Sequence, residues 1–446
     1  MRRFILTSAI IAGSLAIAAG LALGVVIQAF RLLDRGGGAL AALRTDITAL
    51  TLALLGLGYG LAWVVIGWRG LAGGEGAAFS LGGWGWWLAA TIGVLIAGQV
   101  AFSARLSGIT PYLHIAAGAL PPLLFLAAAL NAAHSRAGNV SARPAVGSLA
   151  WGGLGGVTIA LALEVILIAG ALLVLSLWIN ATRPDLLEQL RSFALRWQRS
   201  AATSADLSEV APLLTSPAVV VTVLGFIAII VPLVEELSKT LAVPLVALTG
   251  RRLTRLDGLL LGVAAGAGFT MFEGILSGAA GLALTTTDAW AVLMLARGGT
   301  AVIHCLASGL AGLGWQAIIV ERRWPRGLGL ALCAVGLHGA WNLSAGGVTL
   351  AGLRALIPAA TPLSQGLAGL LSLLLISLLA ALWLGSVVAL PLIARSQAAH
   401  SPARELLAAS SLALPADEMD QTEEGTDLPV EPSTEGWAGT EPSTEG

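Results

Sequence analysis

Charge is scarce in this sequence. Asp, Glu, Lys and Arg make up only 11% of its 446 residues, under half the roughly 25% of an average soluble domain. So few charged groups cannot cover a water-soluble globule of this length, and the mean hydropathy of +0.86 excludes one. Cysteine is nearly missing too. Cys305 and Cys333 both lie in apolar runs, which rules out a disulfide framework and makes both read as small core residues. Lysine occurs once, at Lys239; every other Lys/Arg position is arginine. Nothing in this composition calls for a nucleic-acid partner.

What is present is apolar sequence in long runs, each able to cross about 30 Å of hydrocarbon. They fall near 4–30, 47–68, 84–104, 111–131, 149–179, 217–248, 258–283, 290–320, 327–346 and 364–394. The expected fold is therefore all-α, a polytopic transmembrane bundle of about ten spans. Met1-Arg2-Arg3 followed by an apolar run resembles a signal peptide, with Ala16-Ile17-Ala18 offering small residues. The run continues well beyond that point, so an uncleaved first helix is expected.

The formal net charge of −1 hides a segregation: residues 1–396 hold 23 basic against 14 acidic groups, while 397–446 hold Arg404 against eleven acids. That tail repeats Glu-Pro-Ser-Thr-Glu-Gly from Glu431 and again from Glu441. It reads as a disordered acidic tail. The remaining divisions are an N-terminal five-span region (1–180), an amphipathic segment (181–216), a four-span core (217–345) and a C-terminal span (346–396). In the amphipathic segment Leu186, Leu187, Leu190, Phe193 and Trp197 recur at helical spacing, as in an interfacial helix on the extracytoplasmic side.

Arginine clusters at Arg251-Arg252-Arg255 and Arg322-Arg323-Arg326, with Arg136 and Arg143, mark cytoplasmic loops. Ten spans then leave both termini in the cytoplasm, in agreement with Arg2 and Arg3. Arg31, Arg35 and Arg44 fall outside, against the rule.

Ionisable residues within hydrocarbon are costly and mark function. Outside 217–345 the spans hold only Glu164 centrally and His114 near one end, read as a satisfied polar group and an interfacial residue. Inside it they hold Glu235, Glu236, Lys239, Glu273, Arg297, His304 and His338. Lys239 lies four and three residues after the two glutamates, within helical contact of both. Phe269 and Glu273 share a helix face, as do His338 and Asn342. Pro232 should bend its helix just ahead of the glutamates. Each group is some 12–17 residues from the loop at its span's end, which puts all four helices' polar groups at similar depth, roughly 18–25 Å. One shared site is the economical interpretation. Small residues at fourfold spacing, Gly258, Gly262 and Gly266, then Gly274 and Gly278, suit close helix packing.

At Glu235-Glu236-x-x-Lys239, Phe269-x-x-x-Glu273, His304 and His338-x-x-x-Asn342 the sequence resembles the PrsW family of intramembrane proteases. These are distant relatives of the CAAX prenyl proteases and bacteriocin-processing membrane proteases. The resemblance implies hydrolysis of a peptide bond in a membrane-protein substrate, an anti-sigma factor or another single-span protein, at the cell membrane. Glu235 would be the base, and Glu236 would pair with Lys239. Glu273 and His304 would position water, directly or through a metal, while His338 and Asn342 stabilise the oxyanion. Two histidines and a glutamate could bind zinc, but no His-Glu-x-x-His signature is present and the cofactor stays open. A transporter or proton relay, and a catalytically silent scaffold, are the alternatives.

Overall fold

The computed structural model describes residues 1–33, 38–73, 79–106, 108–137, 141–182, 216–282, 289–355 and 361–399, with a few positions between 184 and 195. Among them there is no strand, and ten helices are long and apolar enough to span a membrane. The expected bundle is thus present. The acidic tail from residue 400 and most of the amphipathic segment lie outside the described residues.

In order the helices are α1 (Arg2–Leu33), α2 (Ala39–Leu71), α3 (Trp84–Ser103), α4 (Thr110–Ala137) and α5 (Ala142–Ala150). A wide π turn, Trp151–Gly156, joins α5 to α6 (Val157–Thr182). Then come α7 (Pro217–Gly225), a second π turn (Phe226–Ile230), α8 (Val231–Thr240), α9 (Ala242–Leu248), α10 (Arg255–Gly281), α11 (Trp290–Ile319), α12 (Trp324–Ala355) and α13 (Pro362–Ala399).

Helices α10 and α11 are the centre, each 78% buried over its most apolar stretch, against 6% for α5–α6. Their contact is made by backbone. A Cβ on Gly262 would stand 2.1 Å from the carbonyl oxygen of Ser308, and one on Gly312 would stand 2.2 Å from that of Gly258. Any side chain larger than hydrogen would push the two helices apart. Gly274, in the same sequence stripe, touches little. The pair packs further on α4 and α12: Leu126 and Ala129 of α4, Leu306 of α11 and Leu337 of α12 join one apolar cluster.

The ends of the three helices α10, α11 and α12 are clasped. Arg255 donates to Glu321 at 2.6 Å and Arg326 donates to the same carboxylate at 3.0 Å. Thr254 and Asp257 form a reciprocal cap at the start of α10.

Three expectations need correction. His114 is not interfacial: it is fully buried, accepts from the Trp290 indole at 3.1 Å and meets the Ile275 carbonyl at 3.1 Å, so it ties α4 to α10 and α11. Cys333 is exposed on the outward face of α12, while Cys305 is core. Glu164 is not satisfied, since its Oε1 is buried with no hydrogen-bond partner.

Candidate active site

Helix α8 is short, polar and inward-facing. Pro232 lies at its start, and the expected distortion takes the form of the π turn immediately before it. Such turns concentrate at functional sites. Glu235, Glu236, Ser238 and Lys239 are all buried.

Lys239 Nζ is the hub. It donates to Glu235 Oε2 at 2.8 Å and Glu236 Oε1 at 2.9 Å, and lies 2.7 Å from His304 Nδ1 on α11. The Phe269 ring, with its centroid 4.1 Å away, covers the ammonium, a favourable cation–π placement. Glu236 accepts two more bonds, from Ser308 Oγ at 2.7 Å and from His338 Nδ1 at 2.9 Å.

These bonds fix both tautomers. A carboxylate with three donors around it can only accept, so His338 carries its proton on Nδ1 and a lone pair on Nε2. That lone pair receives Asn342 Nδ2 at 3.3 Å, the same amide donating to the Ile227 carbonyl at 3.1 Å in the π turn. His304 accepts from the ammonium at Nδ1, so its proton is on Nε2, 3.4 Å from Glu273 Oε2. That glutamate oxygen is buried and makes no hydrogen bond, while the other is held by Arg297 at 2.6 Å.

All eight residues singled out from the sequence, Glu235, Glu236, Lys239, Phe269, Glu273, His304, His338 and Asn342, meet in one cluster between α8, α10, α11 and α12. Several supporting groups carried no sequence signal. Trp151 donates its indole N–H to the Ser238 carbonyl at 2.9 Å, Trp315 reaches Thr240 Oγ1 at 3.0 Å, and Tyr59 donates to the Gly268 carbonyl at 3.0 Å. These are side chains meeting backbone or hydroxyls across long sequence separations, which no periodicity announces.

The model of the PrsW family, intramembrane metalloproteases, matches residues 141–367. The chain belongs to that family. It is a multi-pass membrane protease, which leaves the transporter and scaffold readings without support. Comparison with the curated proteins and with the solved structures finds no match. The PrsW match begins in α5, so it takes in the first π turn as well as the four motif-bearing spans.

A PrsW metalloprotease requires metal ligands, and this donor set fits them. Ligand atoms of Glu235, His304 and His338 all lie within 4.8 Å of one another. One carboxylate with two imidazoles is a common hydrolytic zinc set. Each imidazole also has a carboxylate beside its other nitrogen, Glu236 for His338 and Glu273 for His304, the support that metal-bound histidines usually have. Lys239 Nζ already sits at bonding distance from two of these donors, Glu235 Oε2 and His304 Nδ1, so a metal would be held only with the ammonium moved aside.

Proposed function

We propose that this PrsW protease cleaves a single-span membrane-protein substrate, anti-sigma-factor-like in kind, with Glu235 as the base that activates water. The observation that carries this reading is the gap of 3.8 Å between Glu235 Oε2 and His338 Nε2. Two acceptors at that separation cannot bond each other, and a water can donate to both once the long Asn342 contact on the one Nε2 lone pair is released. Its oxygen lone pair then points away from them, toward a substrate carbonyl. On attack Glu235 Oε2 takes the proton and later returns it to the leaving amide nitrogen.

The hydrogen bonds support a division of labour that differs from the motif-based one. His338 helps orient water, because its Nε2 is an acceptor. Asn342, with its amide spent on Ile227 and His338, positions that ring. His304 Nε2–H, close to Glu273 without a bond to it, is the donor best suited to a developing oxyanion. Lys239 donates to Glu235 Oε2 and aims it. Glu235, His304 and His338 would hold a divalent metal such as zinc, which would supply Lewis acidity and a more acidic water, with Glu235 then a ligand in place of the base.

Glu273 and Arg297 are partly open, at 33% and 25% side-chain exposure, where Glu235, Glu236, Lys239, His304 and His338 are buried, and we assign the substrate entrance to that side. Arg2, Arg143 and Arg251 line one cavity, and Arg255 is tied to Arg326 through Glu321. These arginines support a cytoplasmic assignment for that face in a cell-membrane protein, with the N-terminus on it. Arg31, which breaks the rule, is paired with Asp46.

The test is cleavage of a panel of single-span peptides by purified protein, comparing wild type with Glu235→Gln and His338→Ala. Both variants should fold and lose at least about a hundredfold in rate. Folded variants that cut as wild type does would sink the assignment. A chelator lane reports the metal separately.

A further inference from the structure

A cavity of about 780 Å³ lies behind the active-site helix, between α1, α2, α5, α9 and the loop leading to α10. Its size is within the ~300–1,000 Å³ of ligand cavities. Helix α1 packs chiefly on α2, which leaves the space open along the hydrocarbon between α1 and the α5–α9 corner. The walls are apolar, with Ile5, Trp63, Ile66 and Leu245 prominent. The rim is basic: Arg2 from α1, Arg143 from α5 and Arg251 from the loop, with no acidic side chain among the lining residues. Ser148 also lines it, 1% exposed, its Oγ buried without a hydrogen-bond partner.

An occupant must therefore combine an apolar body with an anionic head that accepts hydrogen bonds. Arg2 makes one long contact, 3.5 Å to the Gly70 carbonyl, and Arg251 a 3.3 Å one to Asp257; both leave donors to spare. Basic recesses between membrane helices suit phosphate headgroups. We infer that this cavity is a binding site for an anionic phospholipid, its phosphate between Arg2, Arg143 and Arg251 and its chains along Trp63, Ile66 and Leu245. The site adjoins the catalytic helix: Trp151 lines the cavity and bonds the Ser238 carbonyl. The inference does not depend on the catalytic assignment.

Full-length protein would be reconstituted with equimolar phosphatidylglycerol and phosphatidylcholine, extracted into mild detergent, and its retained lipids identified by native mass spectrometry. Wild type should retain one phosphatidylglycerol in roughly tenfold or greater excess over phosphatidylcholine. The double variant Arg2→Gln/Arg143→Gln should lose that preference, whereas Arg252→Gln, outside the lining, should keep it. Ala9→Trp, which narrows the cavity from α1, should reduce retention of either lipid and serves if the double variant fails to fold. Equal retention of both lipids by wild type, or an unchanged preference in the double variant, would overturn the proposal. So would retention of a single-span peptide in place of phospholipid, which would make the cavity a substrate-docking surface.

Discussion

A single ammonium group pairs with two carboxylates and engages an imidazole where water is scarce. Lys239 is fully buried, and removing it takes the ammonium from Glu235 and one of three donors from Glu236, at a cost of about 3–5 kcal/mol for breaking a buried ionic set. Lys239→Met is therefore expected to lower the unfolding midpoint in detergent by that measure, with Lys239→Arg only a partial rescue because a planar fork cannot replace a compact ammonium. The same position yields a second expectation. With the ammonium gone, the Glu235, His304 and His338 donors keep their negative surroundings and gain a vacant centre. Lys239→Gln should bind Zn²⁺ roughly tenfold or more tightly than wild type, read by equilibrium dialysis. Equal affinities would show that the ammonium and the metal do not share a position.

At the scale of elements, the α10–α11 crossing sets the distance between Phe269 and Glu273 on one side and His304 on the other. Gly266→Val places a side chain against the His304 carbonyl, 2.6 Å from the position of its first carbon. It should destabilise by about 3 kcal/mol or more and separate the motif residues, seen as reduced activity in whatever protein still folds. The clasp at the helix ends carries a pH dependence. Burial raises the Glu321 carboxyl, but the hydrogen bond from Arg255 and the charges of Arg326, Arg255 and Arg323 outweigh it, holding it below its ordinary 4.5. A lowered folded value gives stability that is fully present above the unfolded value and is lost as pH falls through the folded one. Thermal unfolding followed from pH 7 down to pH 3 should therefore show a steeper loss in wild type than in Glu321→Gln.

At the scale of the whole molecule, the ten spans were legible because hydrocarbon imposes length and apolarity on each helix separately. The convergence of Glu235, Glu273, His304 and His338 was legible for a related reason: charge is so costly there that its few occurrences report depth. Partnership was much less so. The proximity of Lys239 to Glu235 and Glu236 followed from helical spacing, but its contact with His304 depends on how α8 meets α11. The burial of His114 depends on Trp290, and the empty Glu164 oxygen depends on what α6 fails to meet. Most of residues 181–216 and the whole acidic tail lie outside the described residues, and composition alone does not say what they touch.

The clasp of Arg255, Glu321 and Arg326 has a mechanical consequence. Three helices pinned together at one end cannot separate by sliding apart in parallel; they can only splay like the legs of tweezers. Displacement then grows with distance from the pin, least among the arginines and greatest along the far stretches of α10 and α11. Glu273 and Arg297 occupy those stretches, so a small angular opening would widen the route to Glu235 while leaving the pinned end of the bundle sealed.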